Sequence, residues 1–168
     1  MNDELQFETF YESTRKPLYA YVYRMAGDPA AAQDIFQESY LRWLNADLSA
    51  LDDSARKAYL FRIASNLVND HFRRRKRERR LEDEMTMDQV DMEMPAERTG
   101  TAAVVLEQLS RQNRSLLWLA YVEQYDHSQI AEILGLRRGS VKVLLFRAKQ
   151  KALALLQGQK TKRGSSHE

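Results

Sequence analysis

The 168-residue chain has no cysteine, only three prolines and only six glycines. Without cysteine it has no disulfide framework and no thiolate metal site, and this composition fits a reducing compartment. No apolar run approaches the roughly 18–20 residues that a membrane-spanning helix needs, so we expect no membrane insertion. The first ten residues, MNDELQFETF, lack the basic and apolar regions of a secretory signal, and we expect a cytoplasmic protein.

Helix-breaking residues and β-branched runs are scarce, and this scarcity predicts an all-α fold. Apolar residues recur at helical spacing over residues 5–25, 29–45 and 55–80, so each segment is predicted to be a helix. Asp28 suits the N-cap of the second helix, and Pro29 suits its first position.

The segments within and between these helices carry weaker signals. Pro17 is expected to kink the first helix or to split it in two. Residues 46–54, ADLSALDDS, are expected to form a loop. Residues 102–157 are expected to be helical again, and residues 158–168 to form a disordered tail.

The formal net charge of +2 conceals an uneven distribution. Residues 1–72 have a net charge of −4 and residues 73–80, RRRKRERR, have +6; residues 81–101 then have −6 and residues 102–168 have +6. Two basic blocks separated by an acidic one indicate two nucleic-acid contacts. The acidic block also has poor helical periodicity and four methionines, and we interpret it as an acidic flexible linker between two small helical domains.

Motifs of catalysis and of metal binding are missing. The chain has no glycine-rich phosphate loop, no nucleophile motif and no cluster of side chains at metal-ligand spacing. Its three histidines, His71, His127 and His167, are scattered. We therefore expect a protein that is not an enzyme and that has no catalytic residue, no metal site and no cofactor.

Residues 124–149, QYDHSQIAEILGLRRGSVKVLLFRAK, form the most informative pattern. Asp126 and Gln129 match a capping box, and Gly135 can take a positive φ and end the first helix. The second helix is basic, and it is expected to bury Val141, Leu144 and Leu145. A short helix, a tight turn and a basic second helix are typical of a helix-turn-helix, whose second helix enters the major groove of DNA. The alternative is an ordinary helical hairpin with a solvated basic face.

Three segments, in this order, resemble a bacterial RNA polymerase sigma factor of the extracytoplasmic-function (ECF) type, in the sigma-70 family. The helix that such factors press against the polymerase core is matched by AAQDIFQESYLRWL at 31–44. The helix that melts and reads the −10 promoter element is matched by YLFRIASNLVNDHFRRRKR at 59–77, and the −35 reader by YDHSQIAEILGLRRGSVKVLLFRAK at 125–149. The resemblance covers roughly residues 5–157.

This resemblance implies a promoter-specificity subunit that binds RNA polymerase core, recognises promoter DNA and helps to open it. It implies a sigma region 2-like helical bundle at 1–80 and a sigma region 4-like helix-turn-helix at 102–157, joined by the linker at 81–101. The implied partners are the largest subunits of RNA polymerase core, promoter DNA and an anti-sigma protein.

The resemblance also implies a core-binding face on the second helix. That face consists of Asp34, Gln37, Glu38, Leu41 and Arg42, and it would dock on the clamp helices of the largest polymerase subunits. Its mixture of charge with one apolar residue suits a moderately polar protein interface. The alternative is a solvated helix face.

The third helix carries the residues that would contact opened −10 DNA: Tyr59, Arg62, Asn66, Asp70, Arg73 and Arg74. Unpaired bases are held by aromatic stacking and basic grooves, and arginines contact phosphates. The resemblance places a pocket for a flipped base beside the loop at 46–54. The alternatives are a core position for Tyr59 and a solvated helix end for the arginines, and Phe61 is expected to be a core residue.

On the recognition helix, the residues expected to contact −35 DNA are Arg137, Arg138, Ser140, Lys142, Arg147 and Lys149. Arg138 is the favoured base-edge reader because arginine can make a bidentate contact to guanine. Two positions depart from the family pattern, since Val143 and Leu144 stand where serine and arginine are frequent. The middle of this helix therefore offers few polar groups to DNA.

Two other function classes remain open from the sequence. The chain could be a stand-alone helix-turn-helix transcriptional regulator whose N-terminal domain dimerises or senses a ligand. It could also be an interaction protein that binds polymerase without reading DNA. Binding to core polymerase discriminates the first alternative, because a regulator of that kind has no need of the face around Asp34 and Glu38.

Overall fold

The structure, a computed structural model, describes residues 2–83 and 100–164. Over these residues it contains helices and no β-strand, so the predicted all-α fold is confirmed. The chain divides into an N-terminal unit, residues 1–94, and a C-terminal unit, residues 95–168. The acidic linker predicted at 81–101 falls mostly on residues 84–99, which lie outside the described residues.

The N-terminal unit contains three helices that pack against one another in every pairing. They are α1 (Asn2–Ala26), α2 (Pro29–Leu44) and α3 (Asp53–Asp83). Gly27, at φ +74°, makes the turn out of α1, because an L side chain disfavours that conformation. The Asp28 carboxylate then accepts the backbone N–H groups of Ala30 and Ala31, both at 3.3 Å. The predicted N-cap is confirmed.

The first helix does not split at its proline. α1 runs as one helix with Pro17 inside it, so of the two expected outcomes, a kink or a division, the division is wrong. Thr14, one turn before the proline, and Leu18, just after it, are both buried in the same core. Packing on both sides of Pro17 holds the helix together where the backbone hydrogen bond is missing.

The core of the N-terminal unit joins apolar packing to two buried hydroxyl pairs. Its fully buried side chains include Leu18, Val22, Leu60, Phe61 and Ala64. The hydroxyl groups of Tyr21 and Ser65 lie 2.8 Å apart, and those of Tyr40 and Thr14 lie 2.7 Å apart. Each pair satisfies polar atoms that burial removes from water. Burial raises the pKa of Tyr40 to about 12 because it disfavours the phenolate.

The C-terminal unit surrounds one long helix with shorter ones. It contains α4 (Thr101–Gln108), α5 (Arg111–Leu117), a π-helical turn (Trp118–Val122), α6 (His127–Leu134) and α7 (Arg138–Gly164). α7 packs on α4, α5 and α6. The buried apolar side chains include Val105, Leu116, Leu119, Ile130, Ile133 and Val141. Arg114 holds the α4–α5 corner, since its guanidinium donates to the carbonyls of Leu106, Glu107 and Leu109.

Two boundaries of the expected segments move. α3 begins at Asp53, inside the predicted loop, because the Asp52 carboxylate accepts the Ala55 N–H at 2.8 Å and caps the helix. α7 continues to Gly164, so residues 158–164 are helical where a disordered tail was expected. Lysine, glutamine, alanine and leucine dominate the end of α7, and all four favour helix. Residues 165–168 lie outside the described part.

Candidate nucleic-acid and protein interfaces

The five residues predicted for core binding share one face of α2. Asp34, Gln37, Leu41 and Arg42 are exposed and Glu38 is half-buried, and their spacing of three and four residues aligns them. The Arg42 Nε donates to Glu38 Oε1 at 2.8 Å. Leu41, 56% exposed, lies beside this ion pair on the same face. An exposed leucine next to an ion pair fits a moderately polar protein interface.

Leu44 extends this face. It is the last residue of α2 and is 52% exposed. Its neighbour Trp43 is held inward, because the indole stacks on Phe10 with ring centroids 4.3 Å apart and its Nε1 donates to the Arg56 carbonyl at 3.1 Å. Leu44 follows Leu41 by three residues and Gln37 by seven, and this spacing places it with the exposed row.

Hydrogen bonds hold the loop between α2 and α3 in place. Asp47 Oδ1 accepts both the backbone N–H of Ser49 and its hydroxyl, and these bonds lower the pKa of Asp47. The Arg56 Nε donates to the Leu48 carbonyl at 3.3 Å. The Arg56 bond joins the loop to the start of α3. The pocket for a flipped base, which the resemblance implies beside this loop, stays a prediction.

The residues predicted for −10 DNA form a strip along α3. Arg62, Asn66, Asp70, Arg73 and Arg74 are exposed and Tyr59 is half-buried. The strip contains one ion pair, between Arg73 Nη1 and Asp70 Oδ1 at 3.4 Å. Phe61 is fully buried, with its ring 5.3 Å from that of Tyr21, and the prediction of a core role is confirmed.

His71 lies half-buried beside the basic run. Burial lowers the pKa of His71, the positive charges of Arg75 and Arg74 lower it further, and Asp28 and Glu78 oppose the shift. The imidazole is therefore neutral near pH 7. Its surroundings place an uncharged ring at the point where the arginine run begins.

The helix-turn-helix has the predicted local geometry. Asp126 Oδ1 accepts the Gln129 N–H at 2.8 Å, and Gln129 Oε1 accepts the Asp126 N–H at 3.2 Å, which completes the capping box. Gly135 takes φ +66° and ends α6. The turn is closed by the Leu136 N–H, which donates to the Ala131 carbonyl at 2.9 Å.

The start of α6 depends on a feature that the sequence did not reveal. In the π-helical turn the Glu123 N–H donates to the Trp118 carbonyl, five residues back, at 3.1 Å. Gln124 follows at φ +59°, an uncommon conformation for a residue other than glycine. This turn and kink set the direction in which the chain enters the capping box.

Of the three side chains of α7 that were expected to be buried, only that of Val141 is fully buried. Val141 and Ala148 are fully buried, whereas Leu144 and Leu145 are half-buried. At about 100° per residue, these leucines lie about 50° to either side of the line through Val141 and Ala148. The expected burial is therefore confirmed for Val141 and only partial for the two leucines.

The outward side of α7 joins basic and apolar side chains. Arg137, Arg138, Lys142, Arg147 and Lys149 are exposed and Ser140 is half-buried. Between these cations, Val143 is 49% exposed and Phe146 is 62% exposed. Phe146 was missed from the sequence, although it stands three residues after Val143 and therefore shares its face.

Two further findings concern the described residues alone. They contain no group of three or more histidine, aspartate or glutamate side chains that could hold a metal ion. Within residues 2–83 and 100–164, no helix is long and apolar enough to cross a membrane.

Comparison with known proteins matches both units. A family model described as sigma-70 region 2 matches residues 10–78, and one described as sigma-70, region 4 matches residues 102–151. The ECF RNA polymerase sigma factor SigL of Mycobacterium tuberculosis is 31% identical over 150 residues, which cover 82% of this chain and 81% of that one. SigM of Bacillus subtilis, also an ECF sigma factor, is 25% identical over 156 residues and covers 90% and 95% of the two chains.

Two solved structures share the fold. The sigma factor RpoE of Bartonella quintana, in complex with the anti-sigma factor NepR, has a TM-score of 0.70 and 20% identity, and the match covers 90% of this chain and 97% of that one. CnrH, in complex with the cytosolic domain of CnrY, has a TM-score of 0.64 and 22% identity over 92% of this chain and 90% of that one.

Proposed function

This chain belongs to the ECF sigma factors of the sigma-70 family, the promoter-specificity subunits of RNA polymerase, and we propose that its surfaces divide core binding, −10 recognition and −35 recognition among α2, α3 and α7. The matches to both units disfavour a stand-alone regulator. Sigma factors are initiation subunits without enzymatic activity of their own. Because they act on RNA polymerase, we place this protein in the cytoplasm.

Core binding is assigned to the face of α2 that carries Asp34, Gln37, Glu38, Leu41 and Arg42. The observation that carries this assignment is that the opposite side of the helix is committed to the core, with Ala32, Ile35 and Tyr40 buried. The outward row therefore has no structural task within its own unit. A partner can cover the exposed leucine and remove it from water, while the nearby charges pair with charged groups of that partner, as in an interface with a polar rim.

Recognition of −10 DNA is assigned to the α3 strip. Asn66 offers an amide donor and acceptor to an unpaired base, and Tyr59 offers a ring for stacking, which is worth about 1–3 kcal/mol for each base. The arginines from Arg73 onward continue the strip and would contact phosphates. The pairing of Arg73 with Asp70 holds one of these guanidinium groups near the strip.

Recognition of −35 DNA is assigned to α7. Arg137, which precedes the helix, and Arg138, its first residue, would approach base edges and phosphates from the N-terminal end of α7. Lys142 and Arg147 flank the outward side, where they can contact the phosphates of opposite strands.

An anti-sigma protein is a further proposed partner. The two structurally similar proteins were solved with the anti-sigma factor NepR and with the cytosolic domain of CnrY. Both matches extend over at least nine-tenths of this chain. We therefore propose that this chain also carries a surface that binds an anti-sigma protein.

Transcription in vitro with purified core polymerase, on the promoter of the protein's own operon, tests the proposal. The chain should direct initiation at a defined start site, and core alone should not. A stand-alone regulator would instead bind duplex DNA without core and leave initiation dependent on another specificity subunit.

A further inference from the structure

The recognition helix presents an apolar patch at the centre of its outward side. Measured around the helix axis from the buried line of Val141 and Ala148, Val143 and Phe146 lie about 150° away in opposite directions. Val143 is 49% exposed and Phe146 is 62% exposed. This patch, defined by Val143 and Phe146, therefore points away from the protein.

Positive charges surround the patch. Lys142 and Arg147 lie about 110° from the buried line, one on each side, and both are exposed. Lys149 and Arg138 are also exposed along the Lys142 side. A ring of cations around an apolar centre complements a major groove, where phosphates line both edges and base edges form the floor.

The floor of the major groove offers only one kind of apolar group. Guanine, cytosine and adenine present donors and acceptors there, whereas thymine adds a 5-methyl group. A polar base edge pressed against valine or phenylalanine would lose its hydrogen bonds to water without replacement, which is unfavourable. A methyl group in the same place gains contact and loses nothing.

We infer that Val143 and Phe146 read the 5-methyl groups of thymines in the −35 element, so that this protein selects thymine where a polar recognition residue would select by hydrogen bonds. The inference rests on the proposed reading of −35 DNA by α7. The ring of lysine and arginine side chains favours DNA over a protein partner as the occupant of the patch.

The test compares thymine with uracil, which differs from it only by the 5-methyl group. Bound −35 sequences are first selected from a randomised duplex library with the assembled holoenzyme, and each thymine is then replaced singly by uracil. The selected sequences should contain thymine on at least one strand. At least one replacement should weaken binding about fourfold, the factor expected for one methyl-sized apolar group.

Substitutions then connect the methyl groups to the side chains. Val143→Ala and Phe146→Ala should each abolish the effect of uracil at one position while the cations still support binding. Leu153→Ala is the matched control, because Leu153 is 42% exposed on the same helix but lies about 15 Å beyond Val143. It should keep the full sensitivity to uracil, and thermal melting should show all three variants folded.

Three results would overturn the inference: selected sequences without thymine, equal binding of uracil and thymine at every position, or undiminished sensitivity to uracil in both Val143→Ala and Phe146→Ala. In each case a selected −35 sequence would still support the proposed function. A holoenzyme with no preference among −35 sequences would instead remove the proposed function of α7, and the inference with it.

Discussion

Reversing two charges on α2 should separate core binding from folding. We consider Asp34→Lys combined with Glu38→Lys. The change removes the exposed Glu38–Arg42 pair, worth about 0.3–0.5 kcal/mol, and adds like-charged neighbours that cost a similar amount. The total is about 1 kcal/mol against the roughly 5–15 kcal/mol that stabilises a domain of this kind, so the protein should stay folded.

Core binding should respond far more strongly. The charged positions Asp34, Glu38 and Arg42 change from a net of −1 to a net of +3, so cations of a partner that now pair with the carboxylates would face lysines. Like-charge juxtaposition across an interface costs several kcal/mol. We expect at least a tenfold rise in Kd for core polymerase, since each factor of ten corresponds to about 1.4 kcal/mol. Titration of labelled protein with core, followed by fluorescence anisotropy, measures it.

A matched control lies on α1. Glu8 and Glu12 have the same spacing of four residues, both are exposed, and Glu12 pairs with Arg15 at 3.1 Å. Glu8→Lys with Glu12→Lys makes the same change of net charge and breaks a comparable ion pair, so it should bind core nearly as the wild type does. If the α2 double variant assembles at wild-type affinity, or if the α1 variant is weakened equally, the assignment of the core-binding face is refuted.

Three other predictions concern promoter DNA and pH. Asn66→Ala should impair open-complex formation more than core binding, and unchanged permanganate reactivity of the −10 region at sub-saturating protein would contradict this. Arg138→Ala should relax the base preference at one or two −35 positions by about 1–3 kcal/mol. Lys142→Ala should instead weaken binding to all sequences alike and reduce the salt slope of binding by about one unit. Site selection at two salt concentrations distinguishes the two effects. The pKa of His71 is lower in the folded protein than in the unfolded chain, so the folded state should lose stability as the pH falls below about 6.5. His71→Gln should reduce this loss, measured as the decline in urea midpoint between pH 7.5 and 5.

Local signals predicted the boundaries of several elements well. Asp28 with Pro29, the Asp126–Gln129 capping box and Gly135 each act through bonds within a few residues, so the sequence alone contains their cause. Pro17 does not divide α1, because packing against other helices compensates for the missing backbone hydrogen bond. The π-helical turn had no visible signal, since it depends on a shift of backbone hydrogen bonds.

Exposure was harder to predict than periodicity. Helical spacing showed which side of a helix is apolar, but whether another helix covers that side depends on tertiary packing. Leu144 and Leu145 were therefore assigned to a buried face that packing covers only in part. The polar and charged site residues were easier, since ionised side chains are rarely buried without a partner. Their contacts with polymerase and DNA stay predictions.

The length of α3 has a consequence for how DNA binding responds to salt. Its 31 residues span about 46 Å, and beyond Phe72 nearly every side chain up to Leu81 is exposed, so this end gains little from packing. Three pairs four residues apart, Arg73–Arg77, Arg75–Arg79 and Lys76–Arg80, repel each other.

An isolated stretch of this kind is close to its helix–coil midpoint. Added salt weakens the repulsion and should raise helicity, while it also weakens attraction to phosphates. If α3 contacts DNA as proposed, the phosphates would supply the negative charge that stabilises this end of the helix. Part of the binding free energy proposed for α3 would then be used to order the arginines, and we expect the measured salt slope to be shallower than a count of phosphate contacts suggests.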